Sequence, residues 1–164
     1  MTQHMSAKGG SAFGGKIYIG ADHAGYKLKQ ALVQALIDAG YEVADKGAFE
    51  YVEEDDYPNY IAPVADEVSK DPENCRGIVI GGSGQGEAMV ANKFPGVRAA
   101  VYYGGDSTLV TLSREHNDSN ILSLGARFLS EDEAKAAVKL WLETPFSNEE
   151  RHKRRIAKVD DLQP

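Results

Sequence analysis

The chain has 164 residues, 42% of them apolar and 26% charged, with a net charge of −7. This is the make-up of one globular domain with a substantial core, and the acidic balance excludes the basic footprint of a nucleic-acid-binding surface. No apolar run reaches the length of a membrane span or forms a signal-peptide core, and the single cysteine, Cys75, excludes an intramolecular disulfide framework and suits a reducing, cytoplasmic setting. Residues 1–15, with Gly9, Gly10, Gly14, Gly15 and two serines, read as a flexible lead, and 16–160 as a single domain. Ile17-Tyr18-Ile19 is a short strand ending at Gly20-Ala21-Asp22-His23. Leu28, Ala31, Leu32, Ala35, Leu36 and Ala39 then recur at helical spacing until Gly40. A second strand, Tyr41–Ala44, leads through Asp45-Lys46-Gly47 into the acidic loop Glu53-Glu54-Asp55-Asp56. Pro58 opens a helix that carries Ile61, Val64, Ala65 and Val68. The apolar run Gly77–Ile80 is the third strand, and Val97–Tyr102 the fourth, followed by a helix over 106–116. Ile121–Leu124 is the fifth strand, Glu131–Glu143 an amphipathic helix, and 148–159 a highly charged final helix.

Strands alternating with helices imply right-handed crossovers and a parallel sheet covered on both faces, a Rossmann-like three-layer α/β/α architecture with five strands. Ligands of such sheets bind beyond the carboxyl ends of the strands. There the sequence places Asp22-His23, Asp45-Lys46-Gly47, Gly81 to Glu87, Tyr103-Gly104-Gly105 and Gly125-Ala126-Arg127.

The segment Gly81-Gly82-Ser83-Gly84-Gln85-Gly86-Glu87 carries the most chemistry. Its glycines allow a backbone to curl close to a ligand with N–H groups turned inward, and a helix begins beyond them. The segment lacks the Gly-Lys-Ser/Thr ending of a Walker loop, and its third glycine comes one position early for a dinucleotide fingerprint. Anion-stabilising amides beside the Glu87 carboxylate suit proton abstraction alpha to a carbonyl. A sharp strand-to-helix turn, with an acid favoured at the helix start, accounts for the same residues.

His23 closes a strand and His116 closes a helix, positions that capping and the helix dipole also favour. Four histidines without close spacing, with one cysteine, do not make a metal site. Arg151-His152-Lys153-Arg154-Arg155 is the one strong basic cluster. On a helix Arg151, His152 and Arg155 fall on one side, a grouping that together with Arg127 suits a phosphate. A solvated face paired with Glu149 and Glu150 is the alternative.

The chain resembles the ribose-5-phosphate isomerase B family over about residues 16–156. The resemblance rests on Gly20-Ala21-Asp22-His23-Ala24-Gly25, Asp45-Lys46-Gly47, Asp56-Tyr57-Pro58, Gly82-Ser83-Gly84-Gln85-Gly86, Ala91-Asn92-Lys93, Arg98-Ala99, His116-Asn117-Asp118, Gly125-Ala126-Arg127 and Arg151-His152. That family includes galactose-6-phosphate and allose-6-phosphate isomerases. One branch of it carries a catalytic cysteine where this chain has Gly81, and the other uses a glutamate at the far end of the loop, where this chain has Glu87. The resemblance implies interconversion of ribose 5-phosphate and ribulose 5-phosphate in the pentose phosphate pathway, with neither metal nor organic cofactor. It implies that His116 opens the sugar ring while Asp22 and Asn117 hold hydroxyls. Glu87 would move the proton, and Ser83 with the N–H groups of Gly82, Gly84 and Gly86 would stabilise the enediolate. His23, Arg127, Arg151 and Arg155 would hold the phosphate with His152 nearby. It further implies a homodimer whose C-terminal basic residues reach the neighbouring site, and a strand order beginning 2-1-3. A non-catalytic sugar-phosphate or nucleotide-binding module would keep the phosphate clamp without needing both Glu87 and His116.

Overall fold

The computed structural model describes residues 12–162. Five parallel strands form one sheet in the order β2-β1-β3-β5-β4. They are β1 (Lys16–Ala21), β2 (Val43–Asp45), β3 (Cys75–Gly81), β4 (Ala99–Tyr102) and β5 (Ile121–Gly125). The helices are α1 (Tyr26–Asp38), α2 (Pro58–Lys70), α3 (Gln85–Ala91), α4 (Thr108–Glu115), α5 (Glu131–Glu143) and α6 (Glu150–Asp160), with a 3-10 turn at His23–Gly25. The five-strand expectation and the 2-1-3 start both hold, with β5 inserted between β3 and β4.

Successive residues of a strand face opposite sides of a sheet, and the core divides accordingly. Ile17, Ile19, Ile78, Ile80, Leu122 and Leu124 pack with Leu32 and Leu36 of α1, Val110 of α4, and Ala134, Val138 and Trp141 of α5. Val79 and Ile121 pack on the other face with Ile61, Val64, Ala65 and Val68 of α2 and Ala91 of α3. Burial of β3 on both faces explains its unbroken apolar run, and edge position explains why β2 is the shortest strand.

Four boundaries differ from the sequence expectation. Residues 1–11 of the expected flexible lead lie outside the described residues. Phe13, however, donates its N–H to the Leu142 carbonyl at 3.1 Å and lays its ring 4.4 Å from the Arg76 guanidinium, so the fold begins before Lys16. Cys75 is the first residue of β3 rather than a residue preceding it. β2 and β4 start two residues later than expected, because Tyr41-Glu42 and Val97-Arg98 serve as the approaches to their strands.

Candidate active site

Strand order reverses between β1 and β3, and their carboxyl ends are adjacent, with Ala21 opposite Ile80. This is the switch point at which an open α/β sheet leaves a crevice. Asp22-His23 emerge on one side of it and the glycine turn on the other.

The turn Gly82-Ser83-Gly84 leads into α3. Gly84 caps the helix in the left-handed region, φ +79°, and packs against the backbone of Ser123 and Leu124, a conformation that favours glycine. Gly84 also accepts a hydrogen bond from the Ser123 hydroxyl. Ser83 Oγ accepts from the N–H of Gln85 at 3.3 Å. Gly86 lies against the ring of Tyr57, and Gly82 faces the Arg127 guanidinium, where a β-carbon would stand 3.2 Å from one of its terminal nitrogens. The Ala126 and Arg127 N–H groups donate to the carbonyls of Gly81 and Gly82 at 2.8 and 3.1 Å, which docks the end of β5 onto the turn.

Glu87 falls in the first turn of α3 and is only 4% exposed. Its carboxylate folds back over Gly81, filling the space that a β-carbon there would occupy. Burial pushes the Glu87 carboxyl above the usual carboxylate range and nearby Asp22 adds to the shift, while the backbone N–H groups of Glu87 and Gly84 oppose it. A buried carboxylate tuned upward beside a peptide turn has the character of a general base.

Asp22 is itself buried, and its Oδ1 accepts from the N–H groups of Ala24 and Gly25 at 2.9 and 3.2 Å, capping the turn that carries His23. His23 Nδ1 lies 2.7 Å from Asp55 Oδ1. Among the described residues, Asp22, His23 and Asp55 also come near enough to one another to suggest a metal cluster. Two ligands about 2.1 Å from a tetrahedral ion stand about 3.4 Å apart, so the 2.7 Å spacing is that of a shared proton.

The remaining expected residues are elsewhere in the chain. His116 and Asn117 follow α4, which returns to the amino-terminal edge of the sheet. There Arg98 Nε donates to the Asn117 carbonyl at 3.1 Å and the Asn120 N–H donates to the Arg98 carbonyl at 3.0 Å. The full length of β5 separates them from the glycine turn, about 13 Å at about 3.3 Å per residue. α6 lies at the same edge. His152 is 3% exposed, its ring 4.4 Å from that of His116 and its Nδ1 2.7 Å from Ser147 Oγ. Burial and the neighbouring His116 hold His152 below the ordinary imidazole range. His152 thus turns inward, away from the exposed arginines, and does not share one face with them. Arg151 pairs with Glu149 at 2.8 Å, and Arg155 lines a cavity of about 500 Å³ with Asn117 and Arg98.

The expected site residues of one chain therefore fall into two clusters. Asp22, His23, Gly82, Ser83, Gly84, Gly86, Glu87 and Arg127 cluster at the carboxyl edge, and His116, Asn117, Arg151, His152 and Arg155 at the amino edge. Asp55 and Tyr57 join the first cluster without having been named among the expected site residues. Tyr57 stood in the Asp56-Tyr57-Pro58 motif of the family resemblance, and Asp55 in the acidic loop before Pro58.

A parallel α/β sheet with a glycine turn and a buried carboxylate at its switch point defines a class of proteins that handle small anionic ligands at the strand ends. Residues 17–159 match the ribose/galactose isomerase family, and the chain belongs to that family. Ribose-5-phosphate isomerase B of Mycobacterium tuberculosis is 43% identical over 143 residues, covering 87% of this chain and 86% of the relative. The Escherichia coli ribose-5-phosphate isomerase B is 38% identical over 148 residues, covering 90% and 96%. Among solved structures, Mycoplasma genitalium ribose-5-phosphate isomerase B with bound ribulose-5-phosphate superposes with a TM-score of 0.85 at 36% identity, over 89% of this chain and 94% of that one. No helix among the described residues is long and apolar enough to cross a membrane.

Proposed function

We propose that this chain is an aldose–ketose isomerase that interconverts ribose 5-phosphate and ribulose 5-phosphate, with Glu87 as the base. The observation that carries the reading is the Glu87 carboxylate, buried over Gly81 at the head of the glycine turn and raised above the usual carboxylate range.

The chemistry follows from that placement. With the sugar in its open-chain form, Glu87 removes the proton from C2. The electrons of that bond form a C1=C2 double bond as the carbonyl pair moves onto O1, and the resulting enediolate is stabilised by the N–H groups of the turn and by Ser83. Glu87 then returns the proton to C1, and a second proton passes from O2 to O1, leaving a ketone at C2. His23 and Arg127 flank the turn and suit the phosphate, and Asp22 a sugar hydroxyl.

His116 and Asn117 are assigned to ring opening and hydroxyl binding, with Arg151 and Arg155 completing the phosphate clamp beside His152. None of these reaches the turn of its own chain. The separation supports a homodimer in which the amino-edge cluster of one copy faces the carboxyl-edge cluster of the other. On this reading the enzyme works in the cytoplasm on the pentose phosphate pathway.

A coupled assay of kcat/KM on ribose 5-phosphate, allose 6-phosphate and galactose 6-phosphate tests the proposal. Preference for the five-carbon sugar is expected. Preference for a six-carbon sugar reassigns the substrate, and absence of turnover on all three leaves a sugar-phosphate-binding module.

A further inference from the structure

Asp55 lies in the loop between β2 and α2 and reaches back over 32 positions of sequence to His23. Its Oδ1 accepts two hydrogen bonds from that one residue, from the backbone N–H at 3.0 Å and from ring Nδ1 at 2.7 Å. The Asp55 side chain is 4% exposed, and its Oδ2 is buried with no hydrogen-bond partner among the described residues. Burying a half-satisfied carboxylate costs stability. Both hydrogen bonds that the carboxylate does accept come from His23, so its effect falls on that residue.

The paired hydrogen bonds fix the imidazole in both position and tautomer. A carboxylate against Nδ1 keeps a proton on that nitrogen and turns Nε2 toward a ligand, and a ring that donates to a phosphate oxygen does so as the imidazolium, with an N–H on Nε2 as well. Tyr51 meets the same ring edge-on at a centroid distance of 6.3 Å and closes off a further direction of movement. The turn carrying His23 is held at its start by the Asp22 cap. Its side chain is therefore constrained from the backbone, from Nδ1 and from one edge.

We propose that Asp55 is a positioning residue that orients His23 so that the Nε2–H of its imidazolium donates to the phosphate of the substrate. This rests on the reading of His23 as a phosphate ligand. Asp55 itself does not touch the substrate. It acts by sparing His23 the conformational freedom that a solvent-exposed imidazole would lose on binding.

A double-mutant cycle on the full chain tests the proposal, with kcat and KM for ribose 5-phosphate and the inhibition constant of inorganic phosphate as readouts. His23→Ala is expected to raise KM about tenfold. Asp55→Ala is expected to raise KM and the phosphate inhibition constant together by roughly three- to tenfold, with kcat nearly unchanged. In the His23→Ala background Asp55→Ala should add nothing, and Asp55→Asn, which keeps an acceptor for both hydrogen bonds, should restore most of the affinity. A KM unchanged by Asp55→Ala while His23→Ala raises it overturns the role of Asp55, as does a full additional loss in the double variant. A KM unmoved by His23→Ala instead overturns the phosphate reading of His23. If Asp55→Ala does not fold, nitrogen-15 spectra of the wild-type His23 ring decide the matter. A proton on Nδ1 is expected, and a bare Nδ1 overturns the proposal.

Discussion

Glu87 and Gly81 form a unit at the scale of single residues. Because the carboxylate of one occupies the place of a side chain on the other, Gly81→Ala should dislodge Glu87 and lower kcat by a factor approaching that of losing the base. Glu87→Gln should lower kcat by about 10²–10⁴ with little change in KM, whereas Cys75→Ser should leave turnover intact. Cys75 stands at the opposite end of β3 from the glycine turn, and burial pushes its thiol up, away from the thiolate form. Abolition of turnover by iodoacetamide, with Glu87→Gln still active, would reverse the assignment. The raised Glu87 carboxyl also sets a pH dependence. The base acts when deprotonated, so kcat should fall on acidification, with its midpoint above the ordinary carboxylate range. Folding is affected in the opposite sense. A carboxyl raised in the folded state favours the native state at low pH and loses that advantage as pH rises through its folded value. Glu87→Gln should therefore raise the melting temperature at neutral pH, measurable by thermal denaturation across pH.

α4 and α6 act together as elements. The Ser147 N–H donates to the carbonyl of Glu115 at 3.2 Å, and the rings of His116 and His152 meet at the junction, tilted by 34°. The imidazole proposed for ring opening is thus set in place by the helix bearing the arginines proposed for the phosphate. His116→Ala should lose activity on cyclic ribose 5-phosphate and lose less in the reverse direction, where ribulose 5-phosphate is already open-chain. Equal effects in both directions would leave His116 a binding residue. Arg155 lies exposed on α6, and a charge-assisted hydrogen bond is worth about 1.5–3 kcal/mol. Arg155→Ala should raise KM by about tenfold or more with kcat largely kept, and steady-state kinetics on the variant checks this.

For the whole molecule, the separation of the two clusters makes a specific demand on the proposed dimer. Glu87→Gln disables the carboxyl-edge cluster and Arg151→Ala weakens the amino-edge cluster. A mixture of the two proteins should therefore regain activity, because a hybrid of the proposed dimer would contain one intact pairing of the two clusters. Absence of recovery, with subunit exchange demonstrated, would count against a shared site. The same logic pairs Glu87→Gln with His116→Ala, since His116 stands at the amino edge with α6.

Much of this was legible along the chain, because the signals concerned are local. Leu28 to Ala39 repeat with the period of a helix, Gly77 to Ile80 form an unbroken apolar run, and the Gly81–Glu87 segment places a carboxylate one turn into a helix. Each follows from the backbone geometry of a few neighbouring residues. Alternation of strands and helices then determined a parallel sheet, and with it the carboxyl edge where Asp22, the glycine turn and Arg127 meet. Contacts between distant segments decided the rest. Spacing alone does not reveal that the Glu87 carboxylate lies over Gly81, that Asp55 crosses to His23, or that His152 turns inward onto His116. Nor does motif order reveal that His116 and Glu87 sit at opposite edges of one sheet. A helix after a parallel strand must run back before the next strand can begin, so the direction of α4, set by the packing of the whole sheet, carries His116 away from the base of its own chain.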